Sequence, residues 1–205
     1  MRRHAEIAGG GIGGLGTAMM LASRGWSVRL HERSPEIREI GAGIYIKNNA
    51  IEVLEELGIF ARLRPQGLGL ERSQVLDRDG RIMQDRELGK GARVYAFLRQ
   101  SLVEALRDEA ARAGVEIVTA SSAAAADPAG ALLLENGSRL RADLVVAADG
   151  VRSRVRDSLA LGASHRLLPT AVNRYLVPSR EIAPDLITRE HWSDRYRIGI
   201  TPCGA

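Results

Sequence analysis

The amino-acid sequence predicts an α/β fold with a parallel β-sheet, and two of its features carry that prediction. Near the start, a short apolar run at residues 5–8 is followed by a glycine-rich turn, a helical segment and a second strand, in the order of a βαβ unit. Further along, residues 144–148 are apolar without alternation, which is typical of a central parallel strand covered on both faces. Together these features predict a Rossmann-like arrangement of βαβ units.

Length and composition exclude several classes of protein. The 205 residues are 45% hydrophobic and 26% charged, which argues against disorder and allows one large domain or one domain and part of a second. The 29 Lys and Arg residues are interspersed with 25 Asp and Glu, so we expect a mixed solvated surface and no nucleic-acid partner. The single cysteine, Cys203, excludes an intrachain disulfide and a cysteine-rich metal site, and we expect no bound metal.

The sequence carries no sign of a membrane or secretion segment. No stretch reaches the roughly 18 uninterrupted apolar residues of a membrane span. Glu6 and the glycines after it interrupt the place where the apolar core of a signal peptide would lie. We therefore expect no membrane partner and a cytoplasmic location.

The first βαβ unit can be assigned element by element. Residues 5–8 predict a strand, and residues 17–24 predict a helix that Gly25 ends. Residues 26–31 alternate with a period of two, so they predict a second strand, and Glu32 closes it.

The turn between that strand and helix contains a dinucleotide-binding motif. Gly9, Gly11 and Gly14 satisfy G-x-G-x-x-G, and their roles in order are a tight turn, close approach of a pyrophosphate, and close packing of helix on strand. Glu32 lies 18 residues after Gly14, where a carboxylate can accept hydrogen bonds from a ribose diol. The motif favours dinucleotide binding over a merely glycine-rich turn, and does not separate FAD from NAD. The acid at position 32 would repel the 2′-phosphate of NADP, so the sequence disfavours NADP at this site.

The middle of the chain contains further turn and capping signals. Residues 41–44 predict a flexible glycine turn. Capping boxes that start at Asn49 and at Ser101 predict two helices, and residues 115–119 predict a strand after the second helix. Hairpins are predicted at two Asx-Gly pairs, Asp79-Gly80 and Asn136-Gly137.

Asp149 and Gly150 stand at the carboxyl end of the apolar run 144–148. Ligands of open α/β sheets collect at the carboxyl ends of strands, which favours a functional role for this pair. Asp and Gly also form ordinary strand–turn–helix junctions, with Ser153 as the N-cap of the next helix. The residues alone leave both interpretations open.

Four motifs in this chain occur in an order that resembles a known family. They are the N-terminal fingerprint with Glu32-Arg33, Gly41-Ala42-Gly43-Ile44, Arg99-x-x-Leu102, and Ala148-Asp149-Gly150-x-x-Ser153-x-x-Arg156. Together they resemble the class A FAD-dependent aromatic monooxygenases of the para-hydroxybenzoate hydroxylase type. The motifs span residues 5–156, and the ordered set is more specific than any one of its members.

The resemblance implies the cofactors and the residues that hold them. FAD would be bound, with Arg99 along its pyrophosphate and ribityl region, whereas NAD(P)H would be a transient co-substrate. The implied FAD-binding residues are Gly9, Gly11, Ile12, Gly13, Gly14, Glu32, Arg33, Gly43, Arg99, Asp149 and Gly150.

The resemblance also implies the chemistry and the substrate. Reduced FAD would react with O2, and a flavin C4a-hydroperoxide would transfer one oxygen to an aromatic or N-heteroaromatic acid. Tyr45, Arg174 and Arg197 match substrate-facing positions, and two arginines would suit a ring carboxylate. With 27 arginines in the chain (29 Lys and Arg less Lys47 and Lys90), a surface role for each of the two arginines stays open. No catalytic residue is assigned.

The predicted domains are an FAD-binding domain at residues 1–160, with a hairpin excursion at 72–91 toward the substrate domain, and an incomplete substrate domain at 161–205, which is the start of a mixed-sheet domain. The second FAD signature of the family, a Gly-Asp-Ala-Ala-His type of stretch, has no counterpart after residue 150. The chain is therefore expected to be a fragment, to lack a C-terminal half, or to be completed by a partner such as a second copy. Two alternatives to a monooxygenase stay open: another FAD oxidoreductase of the same nucleotide fold, and a flavin-binding remnant without turnover.

Overall fold

A computed structural model describes residues 2–38, 41–89, 91, 93–161, 168–178 and 185–204. Within those residues, the α-helices are α1 (Ile12–Ser23), α2 (Asn48–Glu56), α3 (Phe60–Leu63), α4 (Arg99–Arg112) and α5 (Arg154–Ser158), and a 3-10 helix covers Arg64–Gln66. The strands are β1 (His4–Ala8), β2 (Ser27–His31), β3 (Gly43–Lys47), β4 (Leu68–Gly69), β5 (Arg72–Leu76), β6 (Ile82–Glu87), β7 (Val94–Leu98), β8 (Glu116–Val118), β9 (Ala123–Asp127), β10 (Ala131–Leu134), β11 (Arg139–Arg141), β12 (Leu144–Ala147), β13 (Ile187–Trp192) and β14 (Arg197–Ile200). None of the described helices has both the length and the apolar character needed to cross a bilayer.

The chain divides into two compact units, and each is built from two separate stretches of sequence. The first unit combines Met1–Glu39 with Val103–Val172, and the second combines Ile40–Leu102 with Asn173–Ala205. This grouping differs from the predicted domain bounds of 1–160 and 161–205, which stay a prediction. The difference arises because β5 pairs in parallel with β13, so the 72–87 hairpin shares a sheet with residues 187–200.

The first unit contains a four-stranded parallel sheet in the order β12-β1-β2-β8, which confirms the predicted α/β fold. β1 occupies an interior position, and Ala5, Ile7 and Ala8 are fully buried there. The prediction that residues 144–148 form a central strand was wrong, because β12 forms an edge of this sheet and Leu144 is 36% exposed. The strand is parallel to its neighbour, β1, and a parallel strand was predicted.

Helix α1 begins at Ile12, five residues before the predicted start, so the later glycines of the loop lie inside the helix. Its buried side chains include Leu15, Ala18 and Met19, which place one apolar face toward the interior. The helix ends before Gly25, whose positive φ of 81° suits a residue without a Cβ atom.

A three-stranded antiparallel sheet, β11-β10-β9, completes the first unit. The predicted hairpin at Asn136-Gly137 is confirmed, since β10 and β11 pair across it. Leu132 of β10 is fully buried in a cluster with Ala8 of β1 and Val155 of α5. This cluster connects the small sheet with the parallel sheet and with the helix that follows β12.

The second unit contains two sheets, β3-β7-β4 and β14-β13-β5-β6. The ring of Tyr95 meets that of Phe60 edge to face at a centroid separation of 5.3 Å and stacks on that of Phe97 at 5.9 Å. Gly67 lies against this aromatic cluster, since a Cβ atom there would lie 2.2 Å from the Phe97 ring. The predicted hairpin at Asp79-Gly80 is confirmed as the β5–β6 connection.

Three local predictions in the second unit were wrong. Gly43 and Ile44 lie in β3 and not in a flexible turn. α2 begins at Asn48 with Lys47 at its N-cap, so Asn49 does not cap it. The Asn48 side chain instead donates to the carbonyl oxygen of Gly91 and accepts from Arg93 N. α4 begins at Arg99, directly after β7, and its start precedes the capping box predicted at Ser101.

Candidate functional site

Three features predicted from the sequence, the glycine loop, Glu32 and Asp149, meet at the carboxyl edge of the parallel sheet in the first unit. Because β1, β2 and β12 are parallel neighbours, the residues that follow them emerge at the same edge. Gly9 N donates to the carbonyl oxygen of His31 over 2.8 Å, and Ala148 N donates to that of Ala8 over 2.8 Å. The glycine loop, Glu32 and Asp149 are therefore adjacent.

Four glycines of the loop and the helix start have different surroundings. Gly9 has a φ of 102°, and a Cβ atom there would lie 2.3 Å from the Ala148 carbonyl oxygen. A Cβ atom on Gly14 would lie 1.8 Å from the Gly9 carbonyl oxygen, so helix and strand approach too closely for any side chain. Cβ atoms on Gly11 and Gly13 would meet nothing within 4 Å. Two glycines thus permit backbone packing, and two leave open space beside the helix start.

Glu32 is fixed at the end of β2 and reaches the glycine loop. Its Oε2 atom accepts a hydrogen bond from Gly10 N over 2.7 Å, and its Oε1 atom accepts one from Ser34 N over 2.9 Å. Its backbone is held by hydrogen bonds with Val118 and Ser121. Each carboxylate oxygen can accept a second hydrogen bond, which is what a ribose diol would donate.

These features fit the dinucleotide part of FAD. Among the described residues, no side chain caps the N-terminus of α1, so the N–H groups of its first turn, which includes Ile12 and Gly13, can serve an anion. The open space at Gly11 and Gly13 gives a pyrophosphate room to approach that helix start. Arg33, which follows Glu32, is exposed.

The carboxylate of Asp149 organises the turn between β12 and α5. It accepts hydrogen bonds from Ser153 Oγ over 2.5 Å and from Val155 N over 3.2 Å. Ser153 in turn accepts from Arg156 N over 3.0 Å, which confirms it as the N-cap of α5. These hydrogen bonds are those of an ordinary strand–turn–helix junction. A role of Asp149 and Gly150 in binding FAD stays a prediction.

Gly43 and Arg99 lie in the second unit and are brought together there. Gly43 pairs with Leu98 across the β3–β7 ladder, and Arg99 N donates to the carbonyl oxygen of Ala42 over 3.2 Å. A Cβ atom on Gly43 would lie 2.4 Å from Cys203 Sγ, so the glycine permits that close approach. Burial raises the pKa of the Cys203 thiol, which favours its neutral form.

The phenol of Tyr45 belongs to a cluster of three hydroxyl groups in the second unit. Tyr45 Oη hydrogen bonds with Thr188 Oγ1 of β13 and with Thr201 Oγ1, one residue beyond β14. The two threonine oxygens are 2.9 Å apart and hydrogen bond with each other. Thr188 is buried, whereas Tyr45 is 45% exposed, so the cluster reaches the surface through the phenol.

The two predicted substrate arginines have different surroundings. The Arg197 guanidinium lies 3.9 Å from the centre of the Trp192 ring, whose Nε1 atom donates to Glu190. Arg174 is exposed and lies outside any helix or strand. The β13–β14 ladder places Arg197 opposite Trp192, and Thr188 and Thr201 are at the other end of the same ladder. Four residues of strand, roughly 13 Å, separate Arg197 from Thr201.

Sequence reasoning missed a buried charged network below the site. Glu6 is 1% exposed, and its carboxylate accepts from His31 over 2.7 Å, from His4 over 2.9 Å and from Arg29 over 3.3 Å. Burial alone would raise the pKa of Glu6, but the hydrogen bonds from His31 and His4 and the charges of His31 and Arg29 outweigh it and lower that pKa. Its signal in the sequence was the acid inside the apolar run 5–8.

Known proteins resemble the chain along most of its length. Residues 3–174 match the family described as "FAD binding domain". A 2-heptyl-3-hydroxy-4(1H)-quinolone synthase of Mycobacteroides abscessus is 40% identical over 208 residues, covering 98% of this chain and 56% of that protein. A 3-hydroxybenzoate 6-hydroxylase of Klebsiella oxytoca is 34% identical, covering 89% of this chain and 49% of that protein.

A solved structure agrees with the fold. The tetrameric form of 2-methyl-3-hydroxypyridine-5-carboxylic acid oxygenase superposes with a TM-score of 0.84 at 33% identity, and covers 99% of this chain and 56% of that one. The chain therefore spans about half the length of the relatives that it matches.

Proposed function

Since this chain belongs to the family of class A FAD-dependent aromatic monooxygenases, we propose that it binds FAD and that the protein carrying it hydroxylates an aromatic or N-heteroaromatic ring. The observation that carries the proposal is the meeting of the glycine loop, Glu32 and Asp149 at one sheet edge. Sheet edges of this kind are where α/β proteins bind dinucleotides.

The residues of the chain would bind and orient the cofactor. Glu32 would accept the ribose hydroxyls, while Gly11, Gly13 and the start of α1 would hold the pyrophosphate. Arg99, which lies near Gly43 in the second unit, is proposed to lie along the pyrophosphate and ribityl region of FAD, and Gly43 is proposed as a further FAD-binding residue. Bound FAD supplies the electron transfer and oxygen activation that no side chain provides.

The proposed reaction balances with NAD(P)H and O2 as co-substrates. NAD(P)H and a proton supply two electrons and two hydrogens. One oxygen atom enters the ring as a hydroxyl group and the other leaves as water. The acid at position 32 would repel the 2′-phosphate of NADP, which favours FAD over NADP at this site.

The substrate class that we propose is a ring that carries an oxygen substituent, with a quinolone-type heteroaromatic as the first choice. The 40% identical relative is named for a 4(1H)-quinolone, and the 34% identical relative for 3-hydroxybenzoate, which makes a hydroxybenzoate the second choice. Tyr45 is proposed to face the ring. Arg174 and Arg197 are proposed to bind a carboxylate where the substrate has one.

Two rivals differ from this proposal in their chemistry. Another FAD oxidoreductase of the same nucleotide fold would oxidise or reduce its substrate without incorporating oxygen. A flavin-binding remnant would bind FAD and transfer no electrons. Incubation of the protein carrying this chain with FAD, NAD(P)H, ¹⁸O2 and 4(1H)-quinolone or 3-hydroxybenzoate separates the three, because only the monooxygenase places ¹⁸O in an aromatic product.

Glu32→Ala tests the cofactor site directly. The variant removes charge-assisted hydrogen bonds worth about 1.5–3 kcal/mol, so FAD affinity should fall roughly 10- to 100-fold. Glu36→Ala is the matched control, because Glu36 is an exposed acid paired with Arg38. Fluorescence titration of FAD measures both variants. An unchanged affinity in Glu32→Ala would remove Glu32 from the site.

A further inference from the structure

The hydroxyl cluster of Tyr45, Thr188 and Thr201 unites three segments that are distant in sequence. Tyr45 lies in β3, 143 residues before Thr188 and 156 before Thr201. Thr188 and Thr201 occupy facing positions at one end of the β13–β14 ladder, since the paired residues next to them are Arg189 and Ile200. The phenol of one sheet therefore contacts the hydroxyl groups of another, and all three lie in the second unit.

The number of hydroxyl protons limits how many hydrogen bonds this cluster can donate to a ligand. Three hydroxyl groups carry one proton each, and three mutual contacts use all three when each group donates to the next. An acceptor oxygen from outside can take the proton of one group only. Tyr45 is the exposed member, so its phenol is the group that can turn its proton outward.

Thr188 and Thr201 can still hydrogen bond with the phenol oxygen when the phenol donates its proton to a ligand. Thr201 can donate to Thr188, and Thr188 can donate to Tyr45 Oη, so the phenol both accepts a hydrogen bond and donates one. Hydrogen bonds in such a chain polarise and strengthen one another. The buried threonine also holds the phenol oxygen in one position.

We propose that Thr188 and Thr201 are positioning residues that aim the Tyr45 hydroxyl at a single acceptor oxygen on the substrate ring. The inference rests on the proposed function, in which Tyr45 faces the ring. One outward proton matches one oxo or ring-oxygen acceptor, whereas a carboxylate calls for two donors or a cation. Arg197 stacks on Trp192 roughly 13 Å along the ladder from Thr201, so a carboxylate that it binds would be a different group from the oxygen that meets Tyr45.

A carboxylate is the competing ligand for this cluster. Lys47 lies two residues after Tyr45 in β3, so both occupy the same face of that strand, and Lys47 is exposed. A substrate carboxylate bridging Lys47 and Tyr45 would depend on charge more than on the threonines. Probes with an oxo group, without it, and with a carboxylate at the same ring position separate these two cases.

The test compares ring probes on the FAD-loaded protein that carries this chain. The probes are 4(1H)-quinolone, quinoline and quinoline-4-carboxylate, and binding is measured by calorimetry or fluorescence, which require no turnover. Thr188→Val, Thr201→Val and Tyr45→Phe should each weaken 4(1H)-quinolone about 5- to 10-fold and leave quinoline unchanged. The corresponding Thr→Ser variants should restore binding, because they keep the hydroxyl group.

The controls separate positioning from structural damage. Thr170→Val replaces an exposed threonine of the first unit and should alter the binding of no probe. Equal weakening of 4(1H)-quinolone and quinoline by the Thr→Val variants would overturn the inference, since lost structure affects both probes. A larger loss for quinoline-4-carboxylate than for 4(1H)-quinolone would also overturn it. If Thr188→Val does not fold, Thr201→Val and Tyr45→Phe still show whether loss of a hydroxyl group weakens 4(1H)-quinolone selectively.

Failure of the proposed function has a different signature. If the protein binds the quinolone selectively through Tyr45 but incorporates no ¹⁸O, the subsite stands and the monooxygenase does not. If ¹⁸O is incorporated and the threonine variants bind all probes normally, the monooxygenase stands and the subsite does not.

Discussion

Gly11 and Gly14 belong to one motif, yet the structure gives them different tasks. A Cβ atom on Gly14 would lie 1.8 Å from the Gly9 carbonyl oxygen, whereas one on Gly11 would meet nothing within 4 Å. Gly11 has a φ of −77°, which alanine adopts without strain. One glycine is thus required by the fold, and the other leaves space that a ligand can use.

Alanine substitutions should separate these two tasks. Gly14→Ala should lower the free energy of unfolding by about 3 kcal/mol or more, because backbone must move to admit the methyl group. Gly11→Ala should change stability by less than about 1 kcal/mol but weaken FAD, because its methyl group enters the proposed pyrophosphate space. Denaturant unfolding measures the first effect and FAD titration of the folded variant the second. Normal FAD affinity in Gly11→Ala would place the pyrophosphate elsewhere.

Glu6 is an acid in the interior of the parallel sheet. Four groups converge there: the carboxylate, the two imidazoles of His4 and His31, and the Arg29 guanidinium, which also binds Glu116 over 2.8 Å. Since these partners lower the pKa of Glu6, the folded chain favours the ionised acid more than the unfolded chain does. Its contribution to stability is complete above the ordinary glutamate pKa of about 4.3 and is lost as pH falls through the lowered value.

Glu6→Gln should therefore change the acid side of the stability profile. At pH 7 the variant should be less stable by about 1–3 kcal/mol, because an amide replaces a charge-assisted acceptor. The difference from the unmodified chain should narrow as pH falls below about 4.3, since protonation removes the same charge. Thermal unfolding between pH 3 and pH 7 measures it, with the exposed Glu36→Gln as control. A difference independent of pH would show that the charge of Glu6 does not stabilise the fold.

The residues of the site differ in how far sequence alone could find them. Glu32 follows from spacing, because one helix, α1, and one strand, β2, separate it from the glycine turn. Thr188 and Thr201 did not follow, because their contact with Tyr45 depends on two sheets meeting across more than 140 residues. No local pattern encodes such a contact.

Among the elements, those with short-range causes were the most predictable. Both Asx-Gly hairpins formed where expected, because the turn type and the flanking strands lie within ten residues. The capping boxes at Asn49 and Ser101 failed because β3 and β7 run directly into their helices, and strand pairing sets where those strands end. Tertiary pairing overrode the local capping signal there.

The position of β12 shows a second limit of the sequence. Its unbroken apolar run indicated cover on both faces, and parallel pairing with β1 is indeed present. The run does not reveal which strand lies in the interior, since β12 is the more apolar of the two, whereas β1 contains His4 and Glu6. Burial distinguishes them in the structure, because Ile7 of β1 is fully buried while Leu144 of β12 is 36% exposed.

For the whole molecule, the sequence did not predict that each compact unit is built from two separate stretches of the chain. Residues 40–102 leave the first unit and return to it only at Val103. The cause is the parallel pairing of β5 with β13, which joins segments more than 100 residues apart. The predicted domains were each one continuous stretch of sequence. They could therefore not describe units that are each made of two separate stretches.

The two edges of the β14-β13-β5-β6 sheet differ in their protection against association. β6 carries the charges of Asp85, Arg86 and Glu87, which oppose edge-to-edge pairing. β14 has the sequence RIGI, and Ile198 is 50% exposed while the adjacent Tyr196 is 62% exposed. An edge strand with unpaired backbone groups and apolar side chains favours pairing with another strand.

We therefore expect the 205-residue chain, when produced alone, to associate through β14. Its mean mass in light scattering should rise over a tenfold range of concentration, and Ile198→Lys should return it toward the monomer, because a charge on the edge opposes strand pairing. Ile82→Lys on β6 is the matched control, since Ile82 is 54% exposed on the opposite edge of the same sheet. A chain that stays monomeric throughout, or one that both lysines affect equally, would show that β14 is not the associating edge. Reduced association in Ile198→Lys alone would locate the contact on that strand, because the two variants add the same charge to the same sheet.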